Sequence, residues 1–282
     1  MTIKKYKINN VKCVEFDNLS EQLEYILPNL KTNMYDIKNE INSNLKWNGD
    51  YTLEQTLEGM QYGFASNTAY FLDCITNIRS QEGLKEGLYL DTEGFVYDMG
   101  SVVSGIPECC LNIGIPVINP CIKIMVDISF DCSVPAKDIC NRGIAITNLV
   151  NTLLINNYIV DLYFIMYNNQ YDMDVMSLLK VDTKVLPIST IAFVSSVDYF
   201  RKICFCTMDV IRGKQSNAGR GTSCMKSFIL NKLKKDDIFF IGGSYENKEQ
   251  LKHIKDVNNA NKYILKLFKK FCDEHKIIIT FK

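Results

Sequence analysis

An α/β fold, in which a helical N-terminal portion packs beside a Rossmann-like, mostly parallel sheet, is what this 282-residue sequence predicts. Three observations carry that expectation. From Cys121 onward, short β-branched or aromatic runs alternate with stretches of helical period. The runs, such as Val160-Asp161-Leu162-Tyr163-Phe164-Ile165-Met166, are nearly continuous in apolar character, as expected of strands covered on both faces. The first of them, Cys121 to Val126, ends on Asp127-Ile128-Ser129-Phe130-Asp131 and leads past Pro135 into a long amphipathic stretch. Open α/β sheets present ligand sites at a carboxyl edge of this kind.

The elements follow in order. A short strand is expected near Lys12–Phe16, then a helix from Ser20 through Leu27 stopped by Pro28. Trp47 precedes the turn signal Asn48-Gly49. Thr52 with Gln55 forms a capping box ahead of Leu53, Leu57 and Met60, so a helix starts there and runs, with a break at Gly63, toward Ile78. Between Gly83 and Pro120, glycine and proline punctuation predicts loops and short strands. Strands are then expected at 121–127, 159–166, about 177–183, 238–242 and 276–281. The first intervening helix carries Ile139, Ile146, Leu149, Val150, Leu153 and Leu154 at helical spacing. Ile188 to Met208 reads as helical with a break, and the last helix sets Ile264, Leu267, Phe268 and Phe271 against Lys262, Lys266, Lys269 and Lys270. Residues 1–117 thus form a mainly helical portion with a Gly/Pro-rich connecting segment, and 118–282 the α/β domain.

Composition narrows the class. With 47% apolar residues the chain can build a real core. Eleven cysteines, odd in number and spread through apolar runs, read as reduced thiols. The first residues lack a secretory apolar stretch and every apolar run falls short of a membrane span, which points to a cytoplasmic protein. Formal net charge is zero, yet residues 212–282 hold 16 Lys and Arg against 7 Asp and Glu, leaving 16 against 25 in the remainder. Such polarity attracts phosphate backbones, although lysines on a solvated helix face are the commoner cause.

Asp127-x-Ser129-x-Asp131 resembles the D-x-S-x-S run with which von Willebrand factor A domains hold a divalent cation. Carboxylate and hydroxyl oxygens suit Mg²⁺. The match is incomplete: Asp131 replaces the last serine, and Thr183 and Thr190 are the threonines that later loops offer. The plainer reading has Asp127 and Ser129 satisfying loop amides, with Asp131 and Ser133 starting the helix.

A second segment joins Tyr97-Asp98-Met99-Gly100 to Gly105-Ile106-Pro107-Glu108-Cys109-Cys110. Together with Cys140-Asn141-Arg142-Gly143-Ile144-Ala145 and Phe200-Arg201-Lys202-Ile203, it resembles an uncharacterised family encoded by tailed bacteriophages, over most of residues 47–210. The resemblance implies a phage or prophage origin and a degenerate von Willebrand factor A-like back part, and brings no activity. In physical terms Gly100 and Gly105 permit unusual backbone conformations, and Asp98, Glu108 and Arg142 form a structural or partner-binding group in which Glu108 pairs with Arg142.

Cys204-x-Cys206 and Cys109-Cys110 fall short of a zinc set, and two histidines leave little for nucleophilic catalysis. Arg212, Lys214 and Arg220 sit in a Gly- and hydroxyl-rich basic loop that lacks the phosphate-loop frame but remains a place for nucleic-acid contacts. Three functions follow. The first is a non-enzymatic protein-interaction module gripping a partner at Asp127, Ser129 and Asp131, assisted by Mg²⁺. The alternatives are a nucleic-acid-binding protein using the basic C-terminal quarter and a metal-dependent hydrolase.

Overall fold

The structure, a computed structural model, describes residues 3–28, 49–75, 87–91, 96–97, 99–107, 110–114, 121–130, 133–156, 158–168, 173–183, 188–213, 227–235, 237–243 and 249–277. Its frame is a six-stranded sheet of β1 (Lys4–Ile8), β2 (Val11–Phe16), β6 (Cys121–Asp127), β7 (Ile159–Asn168), β8 (Val175–Val181) and β9 (Ile238–Ile241), in the order β1-β2-β8-β7-β6-β9. A separate three-stranded antiparallel sheet places β5 (Cys110–Gly114) between β3 (Gly87–Asp91) and β4 (Val96–Tyr97).

The large sheet is mixed, which corrects the expectation of a mostly parallel one. β6 pairs in parallel with β7 and β9, and β2 with β8, whereas β7–β8 and β1–β2 are antiparallel. The cause is connection length. Asn168 and Val175 lie too close in sequence for a crossover, so β8 returns beside β7 in the opposite sense. Asn9 and Asn10 both adopt positive φ, 45° and 72°, and close a two-residue hairpin whose twist suits paired strands. The first twenty residues, expected as strand then helix at the front, thus lend two strands to the back portion's sheet.

Other elements lie where periodicity placed them. The crossover helix Ala136–Ile155 buries Ile139, Ile146, Leu149, Val150 and Leu153. It packs with the Val257–His275 helix against Ile122, Ile124 and Val126 of β6. Phe268 and Phe271 meet Phe239 of β9 at ring distances of 5.1 and 5.4 Å. Met125 faces the other way, among Tyr167, Leu178, Ile229 and Leu233, the last two from the Ser227–Lys235 helix. The strand expected at 276–281 lies outside the described residues beyond Ile277.

At the front, residues 19–28 are helical. The Thr52–Gln55 capping box opens the Leu53–Tyr62 helix, the chain breaks at Gly63 (φ 73°), and a second helix spans Ala65–Cys74. Phe64 stacks on Tyr51 at 3.9 Å and meets Phe193 of the Ile188–Val194 helix edge-on at 5.0 Å. After a turn at 195–196, a π-helical turn over Tyr199–Cys204 leads into the Phe205–Arg212 helix.

Ile124 has no exposed surface and Ile159 is 52% exposed. Ile124→Ala is therefore expected to cost about 2–5 kcal/mol of unfolding free energy in denaturant titration, while Ile159→Ala stays within about 0.5 kcal/mol.

Candidate functional site

The tip of β6 stands at the sheet's carboxyl edge, as the sequence predicts, but it is closed. Asp127, Ile128, Ser129 and Phe130 are each less than 5% exposed. Asp127 Oδ1 accepts from the Ser129 amide at 2.8 Å, and Oδ2 accepts from the Gly243 amide at 3.2 Å. A Cβ on Gly243 would lie 2.7 Å from Asp127 Oδ2 and run into the Ser129 carbonyl, so this close approach of backbones requires glycine. Asp131 lies outside the described residues.

Arg142 completes the arrangement from the crossover helix. Its Nε donates to Gln250 Oε1 at 3.1 Å, and its Nη2 donates to the carbonyls of Ile241 and Gly242 at 3.1 and 2.9 Å. Gln250 Nε2 also donates to the Gly242 carbonyl, at 2.8 Å. The guanidinium lies 5.1 Å from the centre of the Phe130 ring. Burial pushes the Asp127 carboxyl up and the Arg142 guanidinium down to about 10, and the attraction between them opposes both shifts. Beneath the tip, Val126, Phe130, Gly143, Ser195 and Phe200 contribute to the lining of a cavity of about 10 Å³, barely the space of one water. The tip is a main-chain lock that joins β6, β9, the crossover helix and the Gln250–His253 turn.

The remaining predicted residues fall elsewhere. Arg212 is buried, donating to Asn168 Oδ1 at 2.6 Å and lying 3.7 Å from Asp209, so it does not present a surface to phosphate. Lys214, Arg220, Asp98 and Glu108 lie outside the described residues. Thr183 donates to the carbonyl of Val160, which is level with Ile122 at the start of β6. Because β8 runs against β7, Thr183 stands at the opposite end of the sheet from Asp127 and cannot join it. Thr190 lies inside the Ile188–Val194 helix. At that opposite end, Asp17, Asp161, Lys180 and Asp182 line an open cleft of about 370 Å³ whose charges meet in Lys180–Asp161 and Lys4–Asp17 pairs at 3.6 and 3.5 Å.

Sequence reasoning missed a second lock. Lys202, fully buried in the π-helical turn, pairs with Asp198, whose carboxylate also accepts from the Tyr51 amide at 3.2 Å. This pins the front segment to the helices covering the sheet. Burial raises the Asp198 carboxyl and lowers the Lys202 ammonium, each countered by the other. The available signal was an i, i+4 Asp and Lys inside the apolar run 197–206. Nearby Cys140 is pushed up to about 11 by burial, with Asp198 and Asp50 adding to the shift, and is a neutral thiol at physiological pH. Among the described residues none of the eight cysteines forms a disulfide. Among the described residues no group of three His, Cys, Asp or Glu is placed to hold a metal ion, and no helix is long and apolar enough to cross a membrane.

The second motif forms a short helix, Met99–Val103, between β4 and β5. The Ile106 amide donates to the Ser101 carbonyl at 3.0 Å and the Gly105 amide to the Val102 carbonyl at 3.1 Å, with Gly105 at φ 69°. These paired bonds are a Schellman closure followed by Pro107, so Gly105 serves the helix end and Gly100 lies within the helix. The turn leaves Met99 65%, Val102 40%, Val103 83% and Ile106 45% exposed.

The chain belongs to the family described as a domain of unknown function (DUF7192), which matches residues 4–271. No curated protein matches it, and neither does any solved structure.

Asp127→Ala strips two buried amides of their acceptor and leaves Arg142 uncompensated. It is expected to destabilise the fold by about 3 kcal/mol or more in denaturant titration. Gly243→Ala is expected to cost about 1–3 kcal/mol by overpacking. A second expectation concerns pH. The native Asp127 and Asp198 carboxyls hold their protons above the usual value of 3.8. Their contribution to stability is therefore full below that pH and is lost as the pH rises through their native values. A stability-against-pH profile should flatten in this acid range in Asp198→Asn.

Proposed function

We propose that this DUF7192 chain is a non-enzymatic protein-interaction module whose contact surface is the Met99–Ile106 turn. The observation that carries the reading is the exposure of four apolar side chains, Met99, Val102, Val103 and Ile106, on a backbone closed by its own hydrogen bonds. Apolar residues displayed together at a rigid turn favour a partner's apolar pocket, because little conformational freedom remains to be lost on docking. The role is the first of the three expected from the sequence, and its surface moves away from the Asp127 rim. Two features support that move. Asp127 already accepts two main-chain amides, and its neighbour Arg142 is bonded to β9 and Gln250.

The test is a photo-crosslinking amino acid placed at Val103 in cells of the native host, with a second placed at exposed Lys4 as control. A discrete crosslinked species at 103, lost in Met99→Asp with Ile106→Asp, is expected. The double variant should keep its thermal midpoint, since exposed substitutions stay within about 0.5 kcal/mol, while partner affinity falls by about 30-fold or more, the loss of a hot spot. An absent crosslink at 103 overturns the reading. A crosslink at 103 that persists in the double variant also overturns it.

A further inference from the structure

The last helix, Val257–His275, has an outer face of unusual composition. Lys262, Lys266, Lys269 and Lys270 are exposed, and between Val257 and Cys272 the helix holds no acidic residue. Its carboxylates stand at the two ends: Asp256 caps the first turn by accepting from the Asn259 amide, and Asp273 and Glu274 occupy the last. Solvated helix faces are ordinarily stabilised by opposite charges four residues apart. Here Lys262–Lys266 and Lys266–Lys270 repeat one sign at that spacing, and each such pair opposes the helix. Lys270 reaches Glu274 at 3.6 Å in the final turn. In the preceding segment Lys252 and Lys255 are exposed beside Glu249 and Asp256, so the unbalanced charge begins at Lys262.

We propose that this lysine row is a docking surface for the phosphate backbone of a nucleic acid, read without regard to base sequence. Charge complementarity selects the occupant. Four ammonium groups within about 12 Å of helix face a polymer that carries one charge for about every 1.7 Å of duplex axis, and binding relieves their mutual repulsion. Lysines act on phosphate as point charges, and none of these positions offers the planar fork of arginine that reads a base edge. A lipid surface fits less well: Ile264, Phe268 and Phe271, which an interfacial helix would insert, are buried, with the two rings against Phe239 of β9. An acidic protein partner would call for aromatic or arginine anchors at the centre of the face. This surface is independent of the Met99–Ile106 turn.

The experiment measures fluorescence anisotropy of a labelled, random-sequence DNA duplex with the full chain across a salt series. Binding at low salt is expected to weaken with a slope of log K against log salt of about −3 to −4. Lys262→Gln with Lys266→Gln should make that slope shallower by about two, and the same positions changed to Arg should restore it. Because the Gln variant removes like-charge pairs from an exposed face, its thermal midpoint should hold or rise, so lost binding does not report misfolding. Met99→Asp with Ile106→Asp should leave DNA binding unchanged. Several results would overturn the proposal: no binding at low salt, a Gln variant that binds with unaltered slope, or anionic vesicles or polyglutamate competing as well as DNA at equal charge.

Discussion

Taking an arginine and an aspartate out of water at the end of a sheet is costly unless every donor and acceptor finds a partner. The β6 tip meets that constraint with main-chain groups. Asp127 gathers the amides of Ser129 and Gly243, and Arg142 gathers the carbonyls with which β9 ends. Gln250 then ties the following turn to both. The parallel pairing of β6 with β9 is held at its open end by this network, and the crossover helix is held in place by the same arginine. The neighbouring Asn141 extends the tie, accepting from Tyr70 of the front helices and donating to the Ile254 carbonyl ahead of the last helix.

The lock determines what the edge can do. A sheet edge of this kind binds visitors when its acidic oxygens face solvent, and here those of Asp127 face amides. The mixed topology reinforces the point. With β8 reversed, loops that would crowd one rim of a parallel sheet are divided between two, and Thr183 stabilises the far end. The Asp198–Lys202 pair closes the junction with the front helices in the same manner, by satisfying buried charge internally.

Opportunity for contact therefore lies at the periphery. An apolar turn closed by a Schellman motif and a lysine row on the last helix differ in chemistry, and each is presented by an element whose own backbone is settled. One favours dry contact and tolerates salt; the other is screened by it.

Much of the fold was legible in local pattern. The apolar run of β6, the crossover helix, the Thr52–Gln55 box and the two faces of the last helix depend on neighbours within a turn or a strand, so spacing reveals them. Asp127 could be singled out as the residue at the tip because its position at the end of an apolar run is also local. Its role could not. Asp127 meets Gly243 across 116 residues and Arg142 meets Gln250 across 108, and no periodicity encodes which distant amide fills a carboxylate. Strand direction was hidden for a related reason: an apolar strand has the same pattern in either sense, and the short β7–β8 connection and the β1–β2 hairpin decided it. The sequence by itself determined the secondary elements and where charge gathers along the chain. Tertiary structure alone decided which charges are buried and paired, because the desolvation that makes pairing obligatory arises only when distant segments exclude water together.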